Sequence, residues 1–198
     1  MTDARNSGWR AIIGSASIMS LALIGDALLY AVLPVYAADF GLTLPWVGVM
    51  LSANRFVRVF AYGAIARLTH AVGVRRICIG ASCTATLSTA LYGFGEGPAV
   101  ILTARILWGL TYAALLLATL TYALEYRERA GTRVGVGKAI ERLGPILALF
   151  AGAWLVGEVG PNDAFAILAV PTALAIGIAL TLPNSNPSRA VRTKPASL

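Results

Sequence analysis

Six long apolar runs, separated by short polar gaps, take up almost the whole chain: 11–36, 47–68, 77–94, 99–124, 134–156 and 164–182. Each is long enough to cross a bilayer as a helix, since about 20 apolar residues at about 1.5 Å rise cover a hydrocarbon core of roughly 30 Å. Pro45, Pro98 and Pro161 stand at or just before the starts of the second, fourth and sixth runs. A first-turn proline costs nothing there, because its missing N–H has no intrahelical acceptor. The pattern predicts an all-α membrane protein with six transmembrane helices over 11–183.

The charges orient those helices. None of the 16 Lys and Arg residues falls in the gaps 39–45, 95–98 or 158–163, whose charges are Asp39, Glu96, Glu158 and Asp163. Arg5 and Arg10, then Arg67, Arg75 and Arg76, then Arg127, Arg129, Arg133 and Lys138, then Arg189, Arg192 and Lys194 mark the other side. Basic residues flanking a span stay cytoplasmic. The expectation is a multi-pass protein of the cell membrane with a cytoplasmic N-terminus over 1–10 and a cytoplasmic C-terminus.

Composition agrees. A soluble domain is about one quarter charged, whereas this chain is 13% charged and 58% hydrophobic, with mean hydropathy +0.74. The net charge of +7 is spread over four short segments without a basic helix face, which argues against a nucleic-acid partner. Cys78 and Cys83 have no His or carboxylate neighbours at ligand spacing, so no metal site or disulfide framework is expected. The first run contains Asp26 and is too long for a signal-peptide core, which disfavours cleavage after Ala37. The polar, proline-containing stretch 184–198 reads as a disordered cytoplasmic tail. Gly93, Gly95 and Gly97 follow no strand and form a turn rather than a phosphate loop.

Besides Arg67 and Lys138 near the cytoplasmic ends of their runs, six charged residues lie deeper inside the apolar runs: Asp26, Arg55, Arg58, Arg105, Glu141 and Arg142. A charge at the bilayer centre costs at least about 2.5–3.5 kcal/mol, so such residues face protein or water. The first, second, fourth and fifth runs are therefore expected to surround a polar interior, with the third and sixth outside. The same division suggests two three-helix repeats. At helical spacing Arg55 and Arg58 align with Tyr62, Arg105 aligns with Trp108 and Tyr112, and Asp26 aligns with Tyr30. Counting rise from the outer ends puts Asp26 level with Arg55, predicting that pair, with Arg105 nearer the outside and Glu141 near the level of Arg58. Neutralised pairs that only fix packing are the competing reading. Four Arg against two carboxylates favour an anionic guest or a water-filled cavity.

The segment 66–76, with Leu68, Gly73, Arg75 and Arg76 in register, resembles the signature between helices two and three of the major facilitator superfamily. In it Ala66 replaces the family's Gly and His70 its Asp, so the resemblance assigns Leu68, His70, Gly73, Arg75 and Arg76 to gating in altered form. Arg105 followed by Gly109 resembles the family's fourth-helix motif, which is associated with proton coupling. Asp26 to Pro34, Tyr36 and Phe40-Gly41-Leu42 resemble the first helix and outer loop of its drug-efflux-like branches. Gly144-Pro145 comes too early and lacks the following Gly pair to count as the antiporter motif.

The resemblance covers 11–183 and implies the amino-terminal six-helix half of a twelve-helix fold, with substrate held between two halves. The leading expectation is a half-size, efflux-type secondary transporter of a small polar or anionic solute, proton-coupled and working as a homodimer or with a separate six-helix partner. Asp26 or Glu141 would carry protons. Arg55, Arg58, Arg105 and Arg142 would attract substrate, and Tyr30, Trp108 and Tyr112 would line the cavity. The alternative is a transport-inactive membrane accessory or assembly protein, or a fragment of a longer transporter. Nothing points to an enzyme or a cofactor.

Overall fold

The computed structural model describes residues 2–125 and 130–184. They form α1 (Thr2–Val32), a 3₁₀ turn (Ala37–Phe40), α2 (Leu44–Val72), α3 (Val74–Phe94), α4 (Pro98–Leu124), α5 (Ala130–Leu147), α6 (Ala153–Val159) and α7 (Pro161–Thr181). A single π turn, Ala148–Gly152, joins α5 to α6 as one span. Every described helix is placed where an apolar run predicts one. The part of the expected tail over 185–198, and with it Arg189, Arg192 and Lys194, lies outside the described residues, as do Arg127 and Arg129.

Most helices extend a few residues past their apolar runs, and three of the changed boundaries bear on the site. The first helix starts at Thr2 rather than after a separate N-terminal segment, and it stops at Val32 rather than Tyr36. Pro34 has no N–H for the next intrahelical bond, and the chain turns through Val35 to Tyr36. The fifth helix begins at Ala130, so Arg133 and Lys138, read as loop residues, are helical.

Among the described residues five helices are long and apolar enough to cross a membrane: α1 from Gly8, α3, α4, the continuous 130–159 span, and α7. α2 has the length, at 29 residues, but carries Asn54, Arg55, Arg58 and Arg67 and is not among the five. α1 is the centre of the bundle and packs against α3, α4, α5 and α7, while α2 lies on α4 and α3 lies along α7. Small residues line the α3–α7 seam, with Ala81, Ala85, Ala175 and Ala179 all buried. Where lipid supplies no hydrophobic drive between helices, such residues let backbones approach and gain dispersion energy.

The core has two clusters. One gathers Ile18, Met19, Ile77, Leu115, Tyr122 and Ala179 around the loop joining α2 to α3. The other gathers Leu29, Leu33, Phe40, Met50, Ile101 and Phe165 at the opposite end. There Phe165 stands edge-on to Phe40 and Tyr92, with ring centroids 6.0 and 5.5 Å away. The α2–α3 connection is one residue, Gly73, at φ 89°. That left-handed backbone is open to glycine at little cost and strains other residues.

Candidate functional site

At the junction of the two core clusters, α1, α2 and α4 meet around one buried ion pair. Arg105 is fully buried and places Nη1 2.5 Å from Asp26 Oδ1. Its Nε donates to the Met50 carbonyl of α2 at 3.0 Å, and Nη2 donates to the Tyr30 hydroxyl at 3.2 Å. Tyr30 hands the chain on to α2, with the Leu51 carbonyl at 3.2 Å and Asn54 Oδ1 at 3.4 Å. Each face of the guanidinium fork is thus engaged, which a buried cation requires if its desolvation is to be offset.

The expected Asp26–Arg55 pair does not form. Asp26 takes Arg105, and Arg55 is exposed on the outer surface of α2. The reason is the early end of α1. Measured from Val32, Asp26 lies about 9 Å from the end of its helix, and Arg105 lies about 10 Å from Pro98, whereas Arg55 is about 16 Å from Leu44. Counting from Tyr36 placed Asp26 a full turn too deep.

Arg58, Trp108 and Tyr112 continue the seam between α2 and α4. The Arg58 guanidinium carbon lies 3.6 Å from the centroid of the Tyr112 ring, and Trp108 meets the same ring edge-on at 6.2 Å. A cation over an aromatic face is stabilised by the ring quadrupole, by 2 kcal/mol or so where water is excluded. Gly109 makes the seam close. A Cβ there would sit 2.9 Å from the Asn54 carbonyl and from Val57. The Arg105-to-Gly109 spacing therefore has a packing reason: Arg105 reaches α2 because Gly109, one turn away, lets α2 approach.

Glu141 and Arg142 diverge. Glu141 is buried and accepts from Lys138 Nζ at 2.7 Å, while its Oε1 has no hydrogen-bond partner. Arg142, one residue on, is exposed. Arg58, Arg105 and Arg142 accordingly do not share the one face expected of them: Arg58 is half-buried, Arg105 is enclosed, and Arg142 points away from the bundle. Arg133, assigned to a loop by its sequence context, is buried with its guanidinium 5.7 Å from the Trp9 ring centroid.

In the segment assigned to gating, Leu68, His70 and Arg76 are exposed and Gly73 makes the turn. Arg75 Nη2 donates to the Leu180 carbonyl at the end of α7. Close by, the Tyr122 hydroxyl donates to the Pro183 carbonyl at 2.9 Å. α3 thus takes one of the carbonyls that the C-terminus of α7 leaves free, and α4 holds the chain two residues beyond it.

Asn54 is the residue that sequence reasoning missed. It is fully buried, and it lies four residues before Arg58 on the same face of α2. A carboxamide in an apolar run carries no charge and escaped a search for ionisable groups, although the spacing to Arg58 marked it. Among the described residues no group of three or more His, Cys, Asp or Glu is placed to hold a metal ion, and Cys78 and Cys83 are both free thiols.

A search of the curated proteins finds no match to this chain. A family model does match, over residues 15–197, a stretch that takes in the ion pair, the seam between α2 and α4 and the Gly73 turn. The chain belongs to the Major Facilitator Superfamily, a family of transporters, and is a multi-pass membrane protein.

Proposed function

We propose that this protein is a proton-coupled secondary transporter of the efflux type for a small polar or anionic solute. Asp26 exchanges the proton, and the bundle works against a second six-helix unit, in the simplest case another copy. The observation that carries this reading is the Asp26–Arg105 pair. A carboxylate with about a tenth of its side chain exposed, held to an enclosed Arg, is a group whose protonation would release one helix from another. Neutralising Asp26 frees Arg105 from its ion pair, leaving it on α2 through the Met50 carbonyl and tied to α1 by the weaker Tyr30 hydrogen bond. The same event loosens α1 from α4, the kind of two-state contact that alternating access needs.

The pairing with a second unit is supported by the surface of the bundle. Arg55 on α2 and Arg142 on α5 are exposed and have no ion-pair partner among the described residues. Facing lipid they would carry a heavy insertion cost, whereas a facing bundle or an aqueous cleft would solvate them. A partner related by an axis along the membrane normal keeps both units in the same orientation, with basic loops and both termini cytoplasmic. In this reading the six spans form two three-helix repeats.

The test is proteoliposome flux. With protein reconstituted across an imposed pH gradient and a pH-sensitive dye inside, candidate organic anions are expected to drive proton movement through the native chain. Asp26→Asn is expected to abolish that movement, and Arg55→Gln to reduce it less. Equal proton movement in native and Asp26→Asn protein would overturn the assignment and favour an accessory role.

A further inference from the structure

Three buried N–H donors in the seam between α2 and α4 have no acceptor among the described residues: Asn54 Nδ2, Arg58 Nε and Trp108 Nε1. They come from side chains that are fully buried (Asn54), half-buried (Arg58) and 2% exposed (Trp108). A buried donor left unpaired costs about 1–3 kcal/mol, more when charged, and native interiors pair nearly all of them. Three in one seam, all donors, is a pattern that one acceptor-rich guest satisfies.

Proximity follows from the packing. Asn54 and Arg58 are one turn apart on the same face of α2, and the backbone of Asn54 lies against Gly109, the residue after Trp108. Arg58 and Trp108 both lean on Tyr112. Charge points the same way. The nearest carboxylate in the network, Asp26, is taken by Arg105, and Arg58 has no ion pair among the described residues. The guest is therefore an anion. A guanidinium fork beside an amide N–H and an indole N–H suits a planar oxyanion better than a spherical ion, since Arg matches carboxylate geometry with two parallel bonds. Arg58 is also the member with access, because it is half-buried and, among the described residues, rests on the face of Tyr112.

We propose that Asn54, Arg58 and Trp108 form a carboxylate-binding subsite between α2 and α4, next to the Asp26–Arg105 pair and walled by Tyr112. The subsite rests on the transport reading for its purpose, and it names the substrate class: small carboxylates. Arg58 supplies the charge and can swing off Tyr112 to admit the ligand. Asn54 and Trp108 supply fixed donors that need no rearrangement. Arg105 holds the neighbouring proton site and does not touch the ligand.

Binding can be read without transport. In full-length protein in detergent, with Trp9, Trp46 and Trp154 changed to Phe so that Trp108 is the remaining tryptophan, benzoate is expected to change Trp108 emission saturably. Benzamide, of the same shape but neutral, is expected to leave it unchanged. Arg58→Gln is expected to weaken benzoate binding by about tenfold or more, as loss of a charged hydrogen bond does, and Arg58→Lys is expected to restore part of it. Asn54→Asp, which replaces a donor by a charged acceptor of the same size, is expected to weaken it comparably. Equal responses to benzoate and benzamide would assign the donors to water or a neutral guest and overturn the subsite. So would the absence of a saturable response, or an Arg58→Gln affinity equal to the native one. Benzoate binding in a protein without Asp26-dependent proton flux would sink the transport reading alone, and such flux without benzoate binding would sink the subsite alone.

Discussion

Gly144 of α5 and Ser20 of α1 are in backbone contact. The Gly144 N–H donates to Ser20 Oγ at 2.8 Å, and a Cβ at position 144 would overlap the Ser20 carbonyl. This is where the fifth helix docks on the central one, one turn from the buried Glu141. Gly144→Ala is expected to push the two backbones apart and to cost 2 kcal/mol or more, in the range of overpacked cores. Gly135→Ala, on an exposed part of α5 with nothing within 4 Å, is expected instead to gain about 0.5–1 kcal/mol from helix propensity. Thermal unfolding of the two variants in one detergent checks the contrast; equal Tm values would mean that the contact is absent.

Asp26 and Arg105 are expected to be strongly coupled. Asp26→Asn and Arg105→Gln each leave a buried group without its charge partner, at about 3–5 kcal/mol for the broken pair. The double variant is expected to cost much less than the sum. Arg55→Gln is expected to add independently of Asp26→Asn, within about 0.5 kcal/mol. A double-mutant cycle with coupling to Arg55 and none to Arg105 would reverse the assignment.

The helices and three of the buried charges, Asp26, Arg105 and Glu141, were legible in the sequence; the pairing was not, nor was the exposure of Arg55 and Arg142. Asp26 and Arg105 declared themselves as carboxylate and guanidinium in apolar runs, because lipid makes such residues too costly to be incidental. Who meets whom depended on where Pro34 ends α1, four residues before the apolar run itself ends at Tyr36. Glu141 was legible as interior, but its contrast with Arg142 required knowing which side of α5 faces α1. Asn54 and the unpaired indole of Trp108 became visible only when their lack of acceptors did.

Accessibility separates the arginines. With Cys78 and Cys83 replaced, cysteines at positions 55 and 142 are expected to react with a membrane-impermeant thiol reagent, and one at position 105 is not. Leu174, exposed on α7, is expected to be shielded by lipid and to stay unreactive. Reaction at position 174 but not at 142 would put the aqueous face on the wrong side of the bundle.

At the end of α7, Tyr122→Phe removes one hydrogen bond to the Pro183 carbonyl and is expected to cost about 1 kcal/mol. His70→Ala, at an exposed position of the altered signature, is expected to change stability by less than about 0.5 kcal/mol. Equilibrium unfolding in mixed micelles measures both, and a larger loss at His70 than at Tyr122 would contradict this account of the α7 anchor.

The π turn between α5 and α6 keeps a ledger of sequence length. Gly144, Ala148, Gly152 and Val156 are all buried at intervals of four. In a regular α-helix each such step turns the stripe by about 40°, so three steps rotate it by about 120°, close to the 100° of one residue. The π turn absorbs that single surplus residue. The span can therefore be read as an ordinary helix into which one residue has been inserted, with its two ends left facing α1 as before. Removing one exposed residue there, Leu149 or Phe150, is expected to give an unbroken α-helix with both ends still in register, whereas the same deletion in α1 would turn half of the central helix, Asp26 included, away from its partners.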